Sequence, residues 1–246
     1  MNSVVEFKNV SKDFVTSKGK YGLLIEAISN FFSKTSKNKN KIHALKNVSF
    51  SLKPGEAIGI IGKNGAGKST ILKLISKIIY PNSGEIIVNG KIGAFIELGA
   101  GLHPELSGRE NIYLYGAILG MKKSEIEKKF NEIVEFAELK KFLEIPIKKY
   151  SSGMYSRLGF SVCSFCNPDI LLVDEVLAVG DIQFQKKCLD KMHSFAKEKT
   201  VVFVSHNLDA VAKICKKVML IENGKIVKFG NAIDVIRTYV RNSKTI

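Results

Sequence analysis

The most constraining feature of the chain is a glycine-rich octapeptide, Gly62-Lys63-Asn64-Gly65-Ala66-Gly67-Lys68-Ser69. It follows the apolar run Ala57–Ile61, which is typical of a buried strand, and it precedes a helical pattern over Thr70–Lys77. The small residues of the octapeptide allow backbone N–H groups to surround phosphate oxygens, and the following helix directs the positive end of its dipole at them. This strand–loop–helix unit predicts an α/β nucleotide-binding domain.

Two side chains of this loop have predicted chemical roles. Lys68 is expected to reach the β- and γ-phosphates, and the Ser69 hydroxyl is a predicted ligand of Mg²⁺, which bridges the same phosphates. The loop therefore predicts binding of a nucleotide that carries β- and γ-phosphates, together with Mg²⁺. The residues of this unit predicted to bind the nucleotide are Gly62, Lys63, Asn64, Gly65, Ala66, Gly67, Lys68, Ser69 and Thr70.

A second apolar run, Ile170–Val173, ends in the adjacent carboxylates Asp174 and Glu175. Ligands of parallel α/β sheets bind at the carboxyl ends of the strands, so both carboxylates are expected at the phosphate site. Because successive strand side chains point in opposite directions, Asp174 is predicted to face the metal and Glu175 to act as general base toward the attacking water. A third run, Val201–Val204, leads to His206, a predicted catalytic residue that holds the γ-phosphate and the water in line.

The composition fits an ordinary folded protein. The 246 residues are 45% hydrophobic and 25% charged, which provides a normal core and argues against disorder. No run approaches the ~18 consecutive apolar residues of a membrane helix, and the N-terminus lacks a long apolar signal-peptide core, so a cytoplasmic location is expected. Four cysteines are too few for a disulfide scaffold, and the Cys163–Cys166 pair is interpreted as buried thiols rather than a zinc or redox site.

The formal net charge of +15 suggests a nucleic acid or an anionic membrane surface as a partner. Only four of the 38 basic residues are arginines, whereas base readout favours the bidentate guanidinium. Nucleic acid is therefore not predicted as a partner. A membrane surface stays open, and so does a lysine-rich surface that is simply solvated.

Hydrophobic periodicity predicts alternating strands and helices, the pattern of a mostly parallel sheet. Residues 107–137 predict two helices, with Ser107 capping the first, Gly120 ending it, and Ser124 with Glu127 forming a capping box for the second. A further helix is predicted over Ala232–Val240. The predicted strands, besides Ala57–Ile61, lie at 4–10, 46–52, 170–173, 201–204, 218–221 and 225–229.

The segment 16–42 carries six lysines and one glutamate, and it places Leu24, Ile28, Phe31 and Phe32 on one apolar helical face. Two interpretations stay open. The segment is either a short helix packed on the domain's own core with a lysine- and asparagine-rich loop behind it, or an apolar stripe that lies with its lysines at anionic headgroups or against a membrane subunit.

The order of these motifs resembles the ATP-binding subunit of an ABC transporter over roughly residues 3–230. The phosphate loop, a helical region, Tyr150-Ser151-Ser152-Gly153-Met154, the strand end at Asp174 and then His206 follow one another as in that family. The resemblance implies that residues 150–154 are the signature motif, in which Ser151, Ser152 and Gly153 contact the γ-phosphate bound to the opposite subunit of a homodimer. It also implies ATP hydrolysis, with residues 177–181 as the D-loop region.

The segment Gly93–Asn111, with the Tyr-Ser-Ser-Gly-Met motif, narrows the resemblance to exporters of polysaccharide, O-antigen, capsule or teichoic-acid chains. The resemblance implies an integral membrane permease as partner, contacted through region 95–110, and a peripheral location on the cytoplasmic face of the inner membrane. Some members of the subgroup carry a C-terminal glycan-binding sandwich. Too few residues follow 225–229 for such a domain, which needs ~100 residues.

The chain departs from the general family pattern at three places. The glutamine of the family's Q-loop is replaced by Glu97 or Leu98, and Glu97 is the predicted metal-contacting residue. Ser152 replaces a glycine and Met154 a glutamine in the signature. For the aromatic residue that stacks on adenine, Phe14 is the predicted candidate, and His43 is a competing one.

Together these features predict a P-loop NTPase of the ABC-ATPase type, with a mostly parallel sheet, an N-terminal antiparallel β part and an inserted helical subdomain. Residues 1–246 are predicted to form one domain, with 1–94 and 167–246 as the nucleotide-binding core and 95–166 as the helical signature subdomain. The predicted function is the ATPase subunit of a polysaccharide or lipid-linked glycan exporter. Export of another cargo, such as a lipid or polyol phosphate, and a non-transport ABC ATPase that binds nucleic acid stay open as alternatives.

Overall fold

The computed structural model of the chain describes residues 3–16, 40–95, 99–174 and 180–244. The predictions for Glu97, Leu98 and Glu175, for most of the D-loop region and for residues 17–39 of the basic insertion lie outside these residues.

The described strands and helices alternate along most of the chain. The strands are β1 (Val5–Thr16), β2 (Asn40–Leu52), β3 (Ala57–Ile61), β4 (Ser83–Val88), β5 (Ile92–Phe95), β6 (Ile170–Asp174), β7 (Thr200–Val204), β8 (Lys217–Glu222) and β9 (Lys225–Asn231). The α-helices are α1 (Lys68–Ile75), α2 (Gly108–Ile118), α3 (Lys123–Ala137), α4 (Ser152–Phe165), α5 (Ile182–Glu198), α6 (Leu208–Ile214) and α7 (Ala232–Lys244). Two short 3₁₀ turns, Lys140–Phe142 and Ile147–Lys149, connect α3 to α4.

The strands form two sheets whose topology confirms the predicted fold class. One is antiparallel and has the order β2-β1-β4. The other has the order β5-β6-β7-β3-β8-β9, in which only the edge strand β9 runs antiparallel to its neighbour. Strand β7 therefore lies between β3 and β6, and the carboxyl ends of all three strands meet at one edge of the sheet.

The larger sheet separates two apolar cores, and the alternation of strand side chains explains why its central strands are apolar throughout. In β6, Ile170 and Leu172 pack with β1, β2 and α1, whereas Leu171 and Val173 pack with α4 and α5. All four side chains are at most 1% exposed. Full burial of such a side chain stabilises the fold by about 1.5–3 kcal/mol, which anchors the strand that carries Asp174.

The N-terminal hairpin is longer than the sequence predicts. Strand β1 continues from the predicted 4–10 to Thr16, and β2 begins at Asn40 instead of residue 46. The irregular register between Phe7 and Asp13 accounts for the missed extension, because bulges break the strict alternation from which strands are predicted. The ends of the 16–42 segment are thus strand residues.

One of the two predicted helix starts in the 107–137 region is confirmed and the other is wrong. Ser107 caps α2 in a full capping box with Glu110, and Gly120, at φ 80°, follows the end of that helix. Helix α3 begins at Lys123, so the predicted cap Ser124 lies inside it. The Glu125 carboxylate instead accepts the Lys122 N–H at 2.7 Å, which is the charged half of a capping box two residues earlier.

Helices α2, α3 and α4 pack together beside the larger sheet and form the predicted helical region. Their core contains an aromatic cluster in which Phe160 lies 5.2 Å from Phe95 of β5 and 6.1 Å from Phe184 of α5, measured between ring centroids. Among the described residues, no helix has both the length and the apolar composition that a bilayer crossing requires.

Candidate nucleotide site

The phosphate loop, Gly62–Ser69, connects the end of β3 to the first turn of α1, as the sequence predicts. Asp174 is the last residue of β6 and pairs with Val204, the last residue of β7. Val204 also lies two residues before His206. Three of the predicted functional segments are therefore brought to one edge of the sheet by neighbouring strands.

The loop backbone is held from two sides by the body of the protein. Gly67, at φ +111°, leaves no room for a side chain, since a Cβ would lie 2.6 Å from the Ala44 carbonyl oxygen of β2. The Gly224 N–H donates to the Ala66 carbonyl at 3.1 Å, and the Gly224 carbonyl accepts from Lys46 N–H at 2.8 Å. By contrast, a Cβ on Gly65 would meet no atom within 4 Å. The loop is thus fixed behind and open in front, which is the shape of a phosphate cradle.

The Lys68 ammonium is already positioned at this cradle. It donates to the carbonyl oxygens of Gly62 at 2.9 Å and of Lys63 at 3.0 Å, and the residue is only 6% exposed. A lysine held on its own loop loses little conformational entropy when it binds a phosphate oxygen.

Ser69 and Asp174 provide a donor set that fits Mg²⁺. Ser69 is exposed in the first turn of α1, and Asp174 is half-buried at the end of β6. A hydroxyl and a carboxylate are the hard oxygen ligands that Mg²⁺ prefers beside substrate phosphates. The third predicted metal-contacting residue, Glu97, lies outside the described residues.

His206 lies on the exposed connection between β7 and α6. The connection is fixed by its neighbours, because the Asn207 side chain caps α6 by accepting the Ala210 N–H at 3.0 Å, and the Asn207 N–H donates to Ser205 Oγ at 3.1 Å. The predicted general base, Glu175, lies outside the described residues.

The two aromatic candidates for the adenine lie on opposite faces of the β1–β2 hairpin. Phe14 pairs with Ile42, whereas His43 pairs with Asp13, so their side chains alternate across the sheet. The His43 Nδ1 is 2.7 Å from the Asp13 carboxylate, which occupies that ring nitrogen. The Phe14 ring is 40% exposed, with the Lys12 ammonium 5.4 Å from its centroid. Both side chains are exposed, and Phe14 stays the predicted adenine-stacking residue.

The predicted signature residues lie at the exposed start of α4, which we call the signature tip, Ser151–Gly153. Ser151 is the N-cap, and its Oγ accepts the Met154 N–H at 3.2 Å. Ser151 and Ser152 are exposed, and a Cβ on Gly153 would meet nothing closer than Ser151 Oγ at 3.8 Å. The tip borders a cavity of about 590 Å³ whose lining, within the described ranges, includes no residue of the phosphate loop.

Arg157, one turn behind the tip, joins the helical region to α5. Its guanidinium donates to Glu138, at the end of α3, at 2.9 Å and to Asp181, the N-cap of α5, and it lies 5.0 Å from the centroid of the Phe184 ring. Lys187 of α5 also donates to Glu138 and, with Arg157, holds the pKa of that carboxyl below its ordinary value. The pKa of Asp181 is lowered first by the Phe184 N–H that it accepts and then by Arg157.

The sequence analysis did not identify Arg157 as part of the site. Its only sequence signal was its place in the helix that follows the signature, because its partners Glu138 and Asp181 are 19 and 24 residues away.

The four thiols, including the Cys163–Cys166 pair, are buried, and burial raises the pKa of Cys163 to about 12 and of Cys166 to about 11. Among the described residues, no group of three His, Cys, Asp or Glu side chains is placed to hold a metal ion.

Comparison with known proteins gives a consistent result. A family model described as "ABC transporter" matches residues 45–178. The chain is 43% identical over 245 residues to the O-antigen export system ATP-binding protein RfbB of Klebsiella pneumoniae, covering 97% of this chain and 98% of that protein. It is 42% identical over 247 residues to the teichoic acids export ATP-binding protein TagH of Staphylococcus epidermidis, covering 100% of this chain and 91% of that protein.

Solved structures resemble this chain over nearly its whole length. The dimeric structure of MJ0796, a bacterial ABC transporter cassette, superposes with a TM-score of 0.72 at 25% identity and covers 93% of this chain and 98% of its own. A post-hydrolysis dimer of the same cassette bound to ADP and Pi gives a TM-score of 0.73 at 24% identity, with the same coverage of both chains.

Proposed function

The chain belongs to the family of ABC transporter ATP-binding proteins, and we propose that it is the ATPase subunit of an exporter that moves a polysaccharide or lipid-linked glycan across the cytoplasmic membrane. The chain binds and hydrolyses ATP. In the proposed assembly two copies pair with an integral membrane permease, and the ATPase lies at the cytoplasmic face of the membrane.

One observation supports the dimer most directly: within the described part of the chain, the phosphate loop and the signature tip line different cavities. The phosphate loop opens beside Gly65, whereas the signature tip borders a cavity formed with the residues that follow α3 and those that precede α5. A serine-capped helix start presents backbone N–H groups and the positive end of a helix dipole, both suited to an anion. Since, among the described residues, no part of the phosphate loop lines the cavity at the tip, we propose that the tip closes on the γ-phosphate held by a second copy.

In this assembly each part of the site has a separate task. The loop amides and Lys68 bind the phosphates, Phe14 stacks on the adenine, and Asp174 with Ser69 holds the metal. Mg²⁺ held by these two residues would supply positive charge that offsets the charge developing on the phosphates during transfer. Glu175 takes a proton from the attacking water, and His206 keeps that water in line with the γ-phosphate.

Coupling to transport follows from the different affinities of the closed dimer for ATP and ADP. ATP bound between the copies favours closure, and loss of the γ-phosphate removes the contact with the signature tip, so the copies separate. The exposed loop His103–Glu105 of the helical region is the proposed contact with the permease.

The cargo class is proposed from the relatives. The chain is about equally similar to an O-antigen and to a teichoic acids export protein, so we propose a long cell-envelope glycopolymer without choosing between the two. The chain has only four arginines among its basic residues, and two of them lie on α7. Because base readout favours arginine, this composition gives little support to a nucleic-acid partner.

Deletion of the gene in its native cell tests the export function. We expect the surface glycopolymer to disappear and its precursor to accumulate inside the cell, and we expect the wild-type chain, but not the Lys68→Ala variant, to restore export. An unchanged cell surface, together with salt-sensitive binding of DNA or RNA by the purified chain, would favour the non-transport alternative.

A further inference from the structure

Tyr155 makes a contact that the proposed catalytic cycle does not use. It follows the signature motif directly, in the first turn of α4, and its hydroxyl donates to the Gly99 carbonyl oxygen at 2.7 Å. The packing is close, because a Cβ on Gly99 would lie 2.3 Å from Cε1 of the Tyr155 ring. Gly99 has φ +85°, so both its conformation and its contact with this ring require glycine.

The Gly99 carbonyl also closes a tight turn. It accepts the Leu102 N–H at 2.8 Å, and the buried Leu102 side chain fixes the end of this turn in the helical core. The exposed loop His103–Glu105 starts at the next residue. A single oxygen therefore receives one hydrogen bond from the signature helix and one from the turn that carries the exposed loop.

A second connection joins the same two elements through the backbone. The Lys148 N–H donates to the Pro104 carbonyl at 2.9 Å, and the Ile147 N–H donates to the Leu106 carbonyl at 3.0 Å. The 3₁₀ turn at 147–149 leads directly into Tyr150 and the signature tip, and the Tyr150 N–H donates back to Ile147 at 2.9 Å.

The exposed loop is itself rigid because a buried side chain amide holds it. Asn111 of α2 is 0% exposed, and its Oδ1 accepts the His103 N–H at 2.7 Å. Its Nδ2 donates to the carbonyls of His103, Leu106 and Ser107 at 2.9–3.1 Å. Two of these contacts are made by His103, so the start of the loop is fixed to a buried group and transmits displacement instead of absorbing it.

We propose that Tyr155 is a positioning residue that makes the signature tip and the loop His103–Glu105 move as one unit. Closure of the tip on the partner's nucleotide is then passed through the Tyr155 hydroxyl and the Gly99 turn to the loop surface. The inference rests on the proposed function and deepens it, because it names the side chain that connects the nucleotide to the surface proposed to contact the permease.

The experiment uses the purified full-length chain with a fluorophore on Glu105→Cys. Glu105 is exposed, and the four native thiols are buried, so the label attaches selectively. The label's emission is recorded with and without Mg-ATP in three proteins: the labelled parent, Y155F and the matched control Y113F. The Tyr113 ring stacks on Phe130 at 5.6 Å, and within the described residues its hydroxyl makes no hydrogen bond.

We expect the ATP-dependent change in emission to fall at least about threefold in Y155F and to stay at the parental value in Y113F, since only Y155F removes the connecting hydrogen bond. ATP affinity and ATP turnover should stay within about twofold of the parent in both variants. A label at His103→Cys repeats the measurement without disturbing the ion pair between Glu105 and Lys148.

Four results would overturn the inference. An unreduced emission change in Y155F would mean that the hydroxyl does not couple the two elements, and a parallel loss of ATP affinity or turnover would mean that it serves the nucleotide site. If the parent binds ATP without any emission change, the loop does not follow the tip and only this inference fails. If the parent does not bind ATP, the proposed function fails with it.

Discussion

The phosphate loop and the signature tip both present backbone N–H groups at the start of a helix, but they are built differently. The loop is fixed behind by backbone contacts with β2 and with the turn between β8 and β9, and its lysine is 6% exposed. The tip is exposed, and what holds it in place is a set of side chains one turn behind it, above all Arg157. The loop is a packed site for phosphate, and the tip is an exposed helix start whose proposed ligand is the phosphate held by a second copy.

This difference indicates separate roles for the phosphate loop and the signature tip. A rigid loop suits tight binding of phosphates that are always present, because no reorganisation precedes binding. An exposed tip held by ion pairs suits a contact that forms and breaks once in each cycle. Substitutions in the two regions are therefore expected to differ in their effects on ATP binding and on stability.

Substitution of one charged or polar group in each region gives the largest expected effect. Lys68→Ala and Ser151→Ala should each lower ATP turnover by at least about 100-fold, because each removes a group that meets the phosphates in both sites of a symmetric dimer. Lys68→Ala should also weaken ATP binding by the isolated chain, whereas Ser151→Ala should not.

Mixing the two inactive proteins separates this arrangement from a single-chain site. In a mixed dimer one site combines the unaltered loop of one copy with the unaltered tip of the other. A 1:1 mixture should regain about a quarter of the wild-type turnover, since about half of the dimers are mixed and one of their two sites is intact. Turnover that stays at the level of the single variants would mean that both elements act within one chain.

Alanine in place of glycine should affect stability in one region and only activity in the other. In Gly62→Ala the new Cβ would lie 2.2 Å from the Ile221 carbonyl oxygen, so the free energy of unfolding should fall by about 2–4 kcal/mol. In Gly153→Ala the Cβ meets nothing within 3.4 Å, and stability should be unchanged or rise by up to about 1 kcal/mol while ATP turnover falls.

Urea denaturation of both variants, with ATP turnover measured in parallel, checks this pair. Equal losses of stability would show that the signature tip is as tightly packed as the loop. Full turnover in Gly153→Ala would show that no phosphate approaches the tip closely.

The contrast also explains which parts of the molecule the sequence could predict. The loop, the strand that ends at Asp174 and the connection at His206 were placed correctly because each belongs to one continuous segment whose pattern determines its structure. The capping box at Ser107 was found for the same reason, since its partner Glu110 is three residues away.

Contacts between distant segments could not be predicted in this way. Arg157, Glu138 and Asp181 have no mutual spacing that a sequence pattern could detect, and the Tyr155–Gly99 hydrogen bond joins residues 56 positions apart. The error at Ser124 is of another kind. Both Lys122 with Glu125 and Ser124 with Glu127 have the spacing of a capping box, and the helix begins at the earlier pair, where the Glu125 carboxylate accepts the Lys122 N–H.

Removal of Arg157 should have an intermediate effect, because it loosens the signature tip without touching the loop. Arg157→Met should lower the free energy of unfolding by about 1–2 kcal/mol, mainly through the loss of a largely buried guanidinium from the Phe184 ring and from Glu138. Arg157→Lys keeps the charge but not the fork of donors, so it should recover only part of the stability and turnover. ATP affinity of the isolated chain should stay at the wild-type value, and its loss would show that the two regions are coupled within one copy.

The smallest expected effect is the pH dependence of the stabilisation that Arg157 provides through Glu138 and Asp181. The pKa values of Glu138 and Asp181 are lowered in the folded chain, so the stabilisation from these carboxylates is present above their ordinary pKa of about 4 and is lost as the pH falls through their lowered values. The difference in unfolding free energy between wild type and Arg157→Met should therefore be constant from about pH 7 to 5.5 and should shrink below about pH 4. Urea denaturation at several pH values measures it, with Lys187→Met as a control that removes the other cation bound to Glu138. A difference that does not change with pH would mean that Arg157 holds the tip by packing on Phe184 and not by charge, and that the signature tip resembles the phosphate loop more closely than its ion pairs indicate.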